Sequence, residues 1–164
     1  MEASFKQEQT INKKEKYTLF LQQFAALIED EHELISVLSN ATAALKEAFG
    51  FFWIGFYLVK NEELILGPFQ GSVACYRIKK SRGVCGTAWA EAQTQVVPDV
   101  EQFKGHIACS SLSRSEIVVP VKVNGEVKGV LDIDSEELNT FDETDKRYLE
   151  QMVELLTQSL KWDF

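Results

Sequence analysis

The sequence predicts an α+β fold built on a central, mainly antiparallel sheet, with N- and C-terminal helices packed on one face and a loop-lined pocket on the other. Three observations carry that prediction. Apolar residues recur at helical spacing near both ends of the chain, whereas the middle is aromatic and β-branched with strand alternation. An Asn-Gly pair also separates two apolar runs, the strongest short-range signal for a β-hairpin.

The elements follow in order. Phe20, Phe24, Leu27 and Ile28 share one helical face, and Leu34, Val37, Leu38, Ala41, Leu45 and Ala48 share another. Asp30 and Glu33 have capping-box spacing at the start of the second helix, and Gly50 ends it. Phe51–Val59 reads as a strand, Lys60–Glu63 as a turn and Leu64–Leu66 as its partner. A short helix is expected over Val84–Gln93, a short strand at Val96 and Val97, and an ordered loop through residue 114. Ile117–Val123 and Glu126–Asp134 form the hairpin about Asn124-Gly125. The last helix opens on Thr140-x-x-Glu143, read as a capping box, and presents Leu149, Met152, Val153, Leu156 and Leu160 as a stripe. Residues 1–16 read as a polar extension, flexible or an extra helix, and residues 17–164 as one domain.

Composition narrows function. The chain has 164 residues, 45% hydrophobic and 26% charged, with a formal net charge of −8 and three cysteines. An acidic balance argues against nucleic acid or an anionic membrane as partner, since both reward clustered Lys and Arg. The longest apolar run spans Phe51–Val59, about half of what a membrane helix needs. No secretory signal pattern opens the chain, and an odd cysteine count in a domain of this size suits free thiols in a reducing, cytoplasmic setting.

Several residues are candidates for chemistry. Cys75, Cys85 and Cys109 include no Cys-x-x-Cys pair, so they read as buried small hydrophobes, as a redox set or, with His106, as zinc ligands lacking knuckle spacing. Cys109 sits in a loop rich in glycine and serine that suits an exposed polar site, and Cys85 follows Gly83 where a helix opens. Asp132 and Asp134 share one face of a strand. That face either meets water or converges with Glu116 in a cleft, where repulsion and burial would raise at least one carboxyl pKa. Trp53 and Tyr57 share a strand face, as core packing or as a pocket wall with polar tips. His32 reads as a solvated helix-start residue. His106, three residues before Cys109, reads as an activating base or a loop hydrogen-bonding group.

Taken together, Phe52–Tyr57, Gly67–Gly71, Ala74–Ile78, Gly83–Gly86, Gly105–Cys109, Ser115–Pro120 and Leu131–Ser135 resemble the free methionine-(R)-sulfoxide reductases, which are single GAF-domain enzymes. The resemblance spans roughly residues 17–160 and departs from the family pattern at Ser81, Lys104 and Ser110. It implies a GAF-like fold and reduction of free L-methionine-(R)-sulfoxide with no metal or organic cofactor. Cys109 would attack sulfur, Cys75 would be the main resolving thiol and Cys85 a second participant or relay. Trp53, Tyr57, Glu116, Asp132 and Asp134 would line the substrate pocket. It also implies a sulfenic acid, an intramolecular disulfide recycled by thioredoxin or a similar dithiol, and a homodimer. The competing readings are a GAF sensor module and a structural zinc protein.

Overall fold

The computed structural model describes residues 4–6, 11–107 and 109–164. Its elements are α1 (Lys13–Ile28), α2 (Leu34–Phe49), β1 (Trp53–Lys60), β2 (Glu63–Gln70), β3 (Arg77–Lys79), α3 (Gly83–Glu91), β4 (Gln95–Val97), a 3-10 turn at Val100–Gln102, β5 (Ser115–Val123), β6 (Glu126–Ser135) and α4 (Glu143–Ser159). The six strands form one antiparallel sheet in the order β3-β2-β1-β6-β5-β4. Both edge strands are only three residues long, which limits the unpaired edge offered to other chains.

Strand alternation sorts the sheet into two cores. Register sets Ile54, Ile133 and Ile117 side by side, then Phe56, Leu131 and Val119. These rows face α1, α2 and α4 and join one buried cluster with Phe20, Phe24, Leu38, Leu45, Leu149 and Met152. The intervening rows face the other way. Trp53, Asp134 and Glu116 form one, and Gly55, Asp132 and Val118 the next. A second cluster covers that face, with Trp53, Tyr57, Val84, Cys85, Val118 and Val130 among its members.

The helical layer is tied by a buried polar contact. The Tyr17 hydroxyl on α1 donates to Asp145 on α4 at 2.6 Å, and Lys13 Nζ donates to the same carboxylate at 2.7 Å. Asp145 also accepts from the backbone N–H of Asp142, whose own carboxylate accepts from the N–H groups of Thr144 and Asp145. The capping box is therefore Asp142 with Asp145, not Thr140 with Glu143. The Thr140 hydroxyl instead donates to Ser135 Oγ at 2.6 Å.

Other expectations shift in detail. At α2 the N-cap is Glu33, whose side chain makes no cap bond, so the box expected from Asp30 does not form. The Glu31 carboxylate takes the exposed N–H groups of His32 and Glu33. Helix α1 begins at Lys13, capped by Asn12, inside the stretch read as an extension, and Phe5 is buried in the helix-side core. The rest of that stretch, residues 1–3 and 7–10, lies outside the described residues. Strand β2 runs on through Pro68 to Gln70, because the register shifts between Gly55 and Tyr57 and places Gly67 and Pro68 together in a bulge opposite Phe56. The two hairpin turns hold Asn61, Glu62, Asn124 and Gly125 at positive φ. Both turns are legible in the sequence, the first from Lys60–Glu63 between two apolar runs and the second from Asn-Gly.

Candidate active site

The sheet face opposite α1, α2 and α4 carries a cavity. Trp53 and Tyr57 from β1, Glu116 from β5, Asp132 and Asp134 from β6, Cys85 from α3 and Cys109 from the loop before β5 all line it, with His106 and Ser113. The space open to the centre of a water-sized sphere is about 50 Å³. Every site residue expected from the sequence except Cys75 is thus on the lining, and Cys75 is joined to it covalently. Cys75 and Cys109 form a disulfide, with Cα atoms 5.5 Å apart across a sequence separation of 34. That bond occupies two thiols of the zinc set considered above and removes it as a four-ligand site. Cys85 is free and buried.

The acidic face does not meet water. Glu116 and Asp132 are each 6% exposed, and Asp134 is partly buried. Glu116 stands directly opposite Asp134 in the β5–β6 register, an arrangement that two ionised carboxylates would oppose. All three carboxyls are held above their ordinary pKa. For Glu116 and Asp134, burial is the largest cause and the neighbouring Asp132 charge the next. For Asp132, burial is opposed by hydrogen bonds from Glu116 and Cys85. The Ser113 hydroxyl, which no sequence signal singled out, hydrogen-bonds Asp134 and works against its upward shift. Asp132 Oδ1 is buried with no hydrogen-bond partner among the described residues. Burial and mutual charge therefore favour the protonated forms in this cluster, and Asp132 Oδ1 is left as an unmet acceptor.

Cys85 belongs to the same cluster. Burial pushes its thiol pKa up, and the negative field of Asp132, Glu116 and Asp134 pushes it further. Cys85 Sγ and one oxygen each of Glu116 and Asp132 lie within 4.8 Å of one another, the one arrangement among the described residues with the spacing of metal ligands. Burial lowers the His106 pKa, against the opposing charges of Asp132 and Glu101. His32 is exposed, with its ring Nδ1 3.2 Å from the Ser159 carbonyl, away from the cavity.

The aromatic wall differs from a set of free polar tips. Trp53 Nε1 donates to the Ser72 carbonyl and the Tyr57 hydroxyl to the Cys75 carbonyl, both at 2.9 Å. Both tips are spent on the segment that carries Cys75. Burial and the three carboxyls raise the Tyr57 pKa far above its ordinary value, so it remains a neutral donor. Two glycines make room for the indole. A Cβ on Gly55 would overlap the Trp53 ring and lie 2.7 Å from Phe69 Cβ, and one on Gly71 would lie 2.5 Å from Trp53 Cδ1. Phe69 stacks on the indole with centroids 5.3 Å apart. Sequence reading missed these supports because their signal is the absence of a side chain.

A two-cored antiparallel sheet of this kind, with a pocket under a loop-rich face, is the GAF architecture, and the GAF domain model matches residues 31–161. Named relatives narrow the class. GAF domain-containing protein A of Dictyostelium discoideum is 58% identical over 88% of this chain and 92% of its own length. Free methionine-R-sulfoxide reductase of Escherichia coli is 45% identical over 92% of each chain. The X-ray structure of free methionine-R-sulfoxide reductase from Neisseria meningitidis in complex with its substrate superposes with a TM-score of 0.93 at 50% identity, covering 97% of this chain and 95% of that one. The chain belongs to the free methionine-R-sulfoxide reductases, a family of oxidoreductases. Among the described residues, no helix is long and apolar enough to cross a membrane.

Proposed function

We propose that this protein reduces free L-methionine-(R)-sulfoxide to L-methionine through a cysteine sulfenic acid and an intramolecular disulfide recycled by thioredoxin or a similar dithiol. The observation that carries the reading is the Cys75–Cys109 disulfide beside a cavity lined by three carboxyls withdrawn from water.

In the reduced enzyme the Cys109 thiolate attacks the sulfoxide sulfur while a protonated carboxyl of the Glu116–Asp132–Asp134 group gives its proton to the oxygen. The sulfur–sulfur bond formed by that attack and the substrate's sulfur–oxygen bond then break as the protonated oxygen passes to the Cys109 sulfur, so that methionine leaves and Cys109 is a sulfenic acid. The Cys75 thiol then displaces that oxygen as water and forms the disulfide. Two electrons and two protons from an external dithiol restore both thiols. The carboxyls supply the proton and give the α-ammonium of a free amino acid its counter-charge, which a peptide-bound methionine would not offer. Trp53 and Tyr57 close one wall and hold the Cys75 segment through Ser72 and Cys75. Cys85 stays protonated beside Asp132 and acts as part of the carboxyl cluster rather than as a relay thiol. No metal or organic cofactor enters these steps. A cytoplasmic location and a homodimer belong to the same reading, and sedimentation checks the latter.

The test is thioredoxin-coupled NADPH oxidation with free methionine-(R)-sulfoxide, its S epimer and an N-acetylated analogue. Turnover is expected with the R epimer alone. No turnover by the reduced protein, or equal turnover of the N-acetylated compound, would overturn the proposal.

A further inference from the structure

The disulfide is surrounded by a surface unlike the rest of this acidic chain. Among the described residues, half of the exposed large apolar side chains lie within three positions of its two cysteines. Val73 and Tyr76 flank Cys75 at 85% and 78% exposure, and Ile107 and Leu112 flank Cys109 at 41% and 56%. Exposure on that scale is costly unless a partner covers it. Val73 and Ile107 also line the cavity, so the apolar rim is continuous with its mouth.

Charge marks the same two segments. Residues 71–83 and 103–114 contain Arg77, Lys79, Lys80, Arg82, Lys104 and Arg114 and no Asp or Glu, in a chain with 25 acidic residues against 17 basic ones. All six cations are exposed. The Cα separation of 5.5 Å between Cys75 and Cys109 brings the two segments together at one reactive bond, and Arg82 lines the cavity beside Val73, Ile107 and Cys109. The cations of β3 and just after it have acidic neighbours: Arg77 lies 3.8 Å from Glu63, Lys79 stands opposite Glu63, and Lys80 lies over the Trp89 ring in a hollow lined also by Glu62 and Glu126. The basic charge offered beside the disulfide is therefore that of Arg82, Lys104 and Arg114.

We propose that the apolar and basic rim formed by the described residues 71–83, 103–107 and 109–114 is the docking face for an acidic dithiol protein of the thioredoxin class, which reduces the Cys75–Cys109 disulfide there. This rests on the reading of that disulfide as the product of turnover. Basic charge around the bond draws an acidic partner to it and speeds encounter, and the apolar side chains then seat the partner's thiols against sulfur. The partner's thiolate attacks one sulfur, the Cys75–Cys109 bond breaks, and a mixed disulfide forms. The partner's second thiol attacks that bond and releases this chain. The partner leaves oxidised by two electrons, and its two protons end on Cys75 and Cys109. The substrate pocket and the reductant site are thus distinct in chemistry but share one rim.

The test compares two reductants of the oxidised protein: dithiothreitol, and an acidic thioredoxin kept reduced by its reductase and NADPH. Lys104→Glu/Arg114→Glu and Tyr76→Ser/Leu112→Ser, none of which lines the cavity, are compared with the wild type. With thioredoxin, reduction is expected to slow about tenfold in the charge-reversal variant and several-fold in the apolar one, and the wild-type rate is expected to fall between about 50 and 300 mM salt. With dithiothreitol, all three proteins should agree within about twofold, which also shows that the variants are folded. Equal losses with both reductants, or no loss with thioredoxin, would overturn the proposal. So would a wild-type dimer that shields the disulfide, seen as dithiothreitol reduction slowing with protein concentration. Methionine release in dithiothreitol-driven turnover tests the catalytic reading separately, because it needs no docking partner.

Discussion

The Tyr57 hydroxyl, in the middle of the sheet, donates a hydrogen bond of 2.9 Å to the backbone carbonyl of Cys75, the residue that closes the disulfide. A rigid strand thereby fixes the position of a loop cysteine. The phenol is 1% exposed and stays protonated, so the tether does not depend on pH in the physiological range. Tyr57→Phe keeps the ring and removes the tether, worth about 1 kcal/mol. Disulfide formation should slow about fivefold while methionine release in the first turnover changes less than twofold. Rapid-quench measurement of methionine beside thiol counting separates the two steps.

The Trp53 indole rests in space left by Gly55 and Gly71. Gly55→Ala should displace the ring and cost roughly 1–3 kcal/mol through overpacking. The expected outcome is a lower urea midpoint together with a raised KM for the sulfoxide, because stability and pocket shape depend on the same contact.

The carboxyl cluster predicts how stability varies with pH. Glu116, Asp132 and Asp134 have folded pKa values above their ordinary values of 4.5, 3.8 and 3.8. Their contribution is fully present below those ordinary values and is lost as pH rises through the folded values. Wild-type Tm should therefore decline from mildly acid pH towards pH 8. Glu116→Gln should flatten the decline and raise Tm at pH 8, with loss of turnover, as thermal scans and activity across the pH range would show. The wild-type turnover number should itself fall on the alkaline side as the proton donor ionises.

Asp145 joins α1 to α4 through Tyr17 and Lys13 while closing the α4 capping box. Asp145→Ala strands a fully buried phenol and a backbone N–H, and should cost roughly 3 kcal/mol, or about 6–12 °C in Tm. Activity per folded molecule should be unchanged, since the contact lies on the sheet face away from the cavity.

Much of this architecture is legible in the sequence, because its two cores are written as alternation. Ile54, Phe56, Ile117, Leu131 and Ile133 face the helices, and Trp53, Tyr57, Glu116, Asp132 and Asp134 face the cavity, as strand period requires. Spacing could not decide whether Asp132 and Asp134 meet water, since burial depends on α3 and the loops packed over them. The roles proposed for the three cysteines came from family resemblance, because residues 34 positions apart carry no local signal of bonding. Tertiary detail also displaced local rules. Thr140 had the right spacing for a cap, but its hydroxyl donates to Ser135 Oγ, which leaves the cap to Asp142. The partner strand expected over Leu64–Leu66 runs on to Gln70, because Pro68 sits in a bulge that the sheet accommodates.

The central claim is that Cys109 attacks and Cys75 resolves. Single-turnover methionine release from the prereduced protein without added reductant, followed by mass spectrometry after trapping with a sulfenic-acid reagent, tests it most directly. Wild type and Cys85→Ser should each release one methionine per chain and end with a Cys75–Cys109 disulfide. Cys75→Ser should release one methionine and carry the trapped sulfenic acid on Cys109, and Cys109→Ser should release none. Methionine release by Cys109→Ser, or a trapped sulfenic acid on Cys85, would contradict the account.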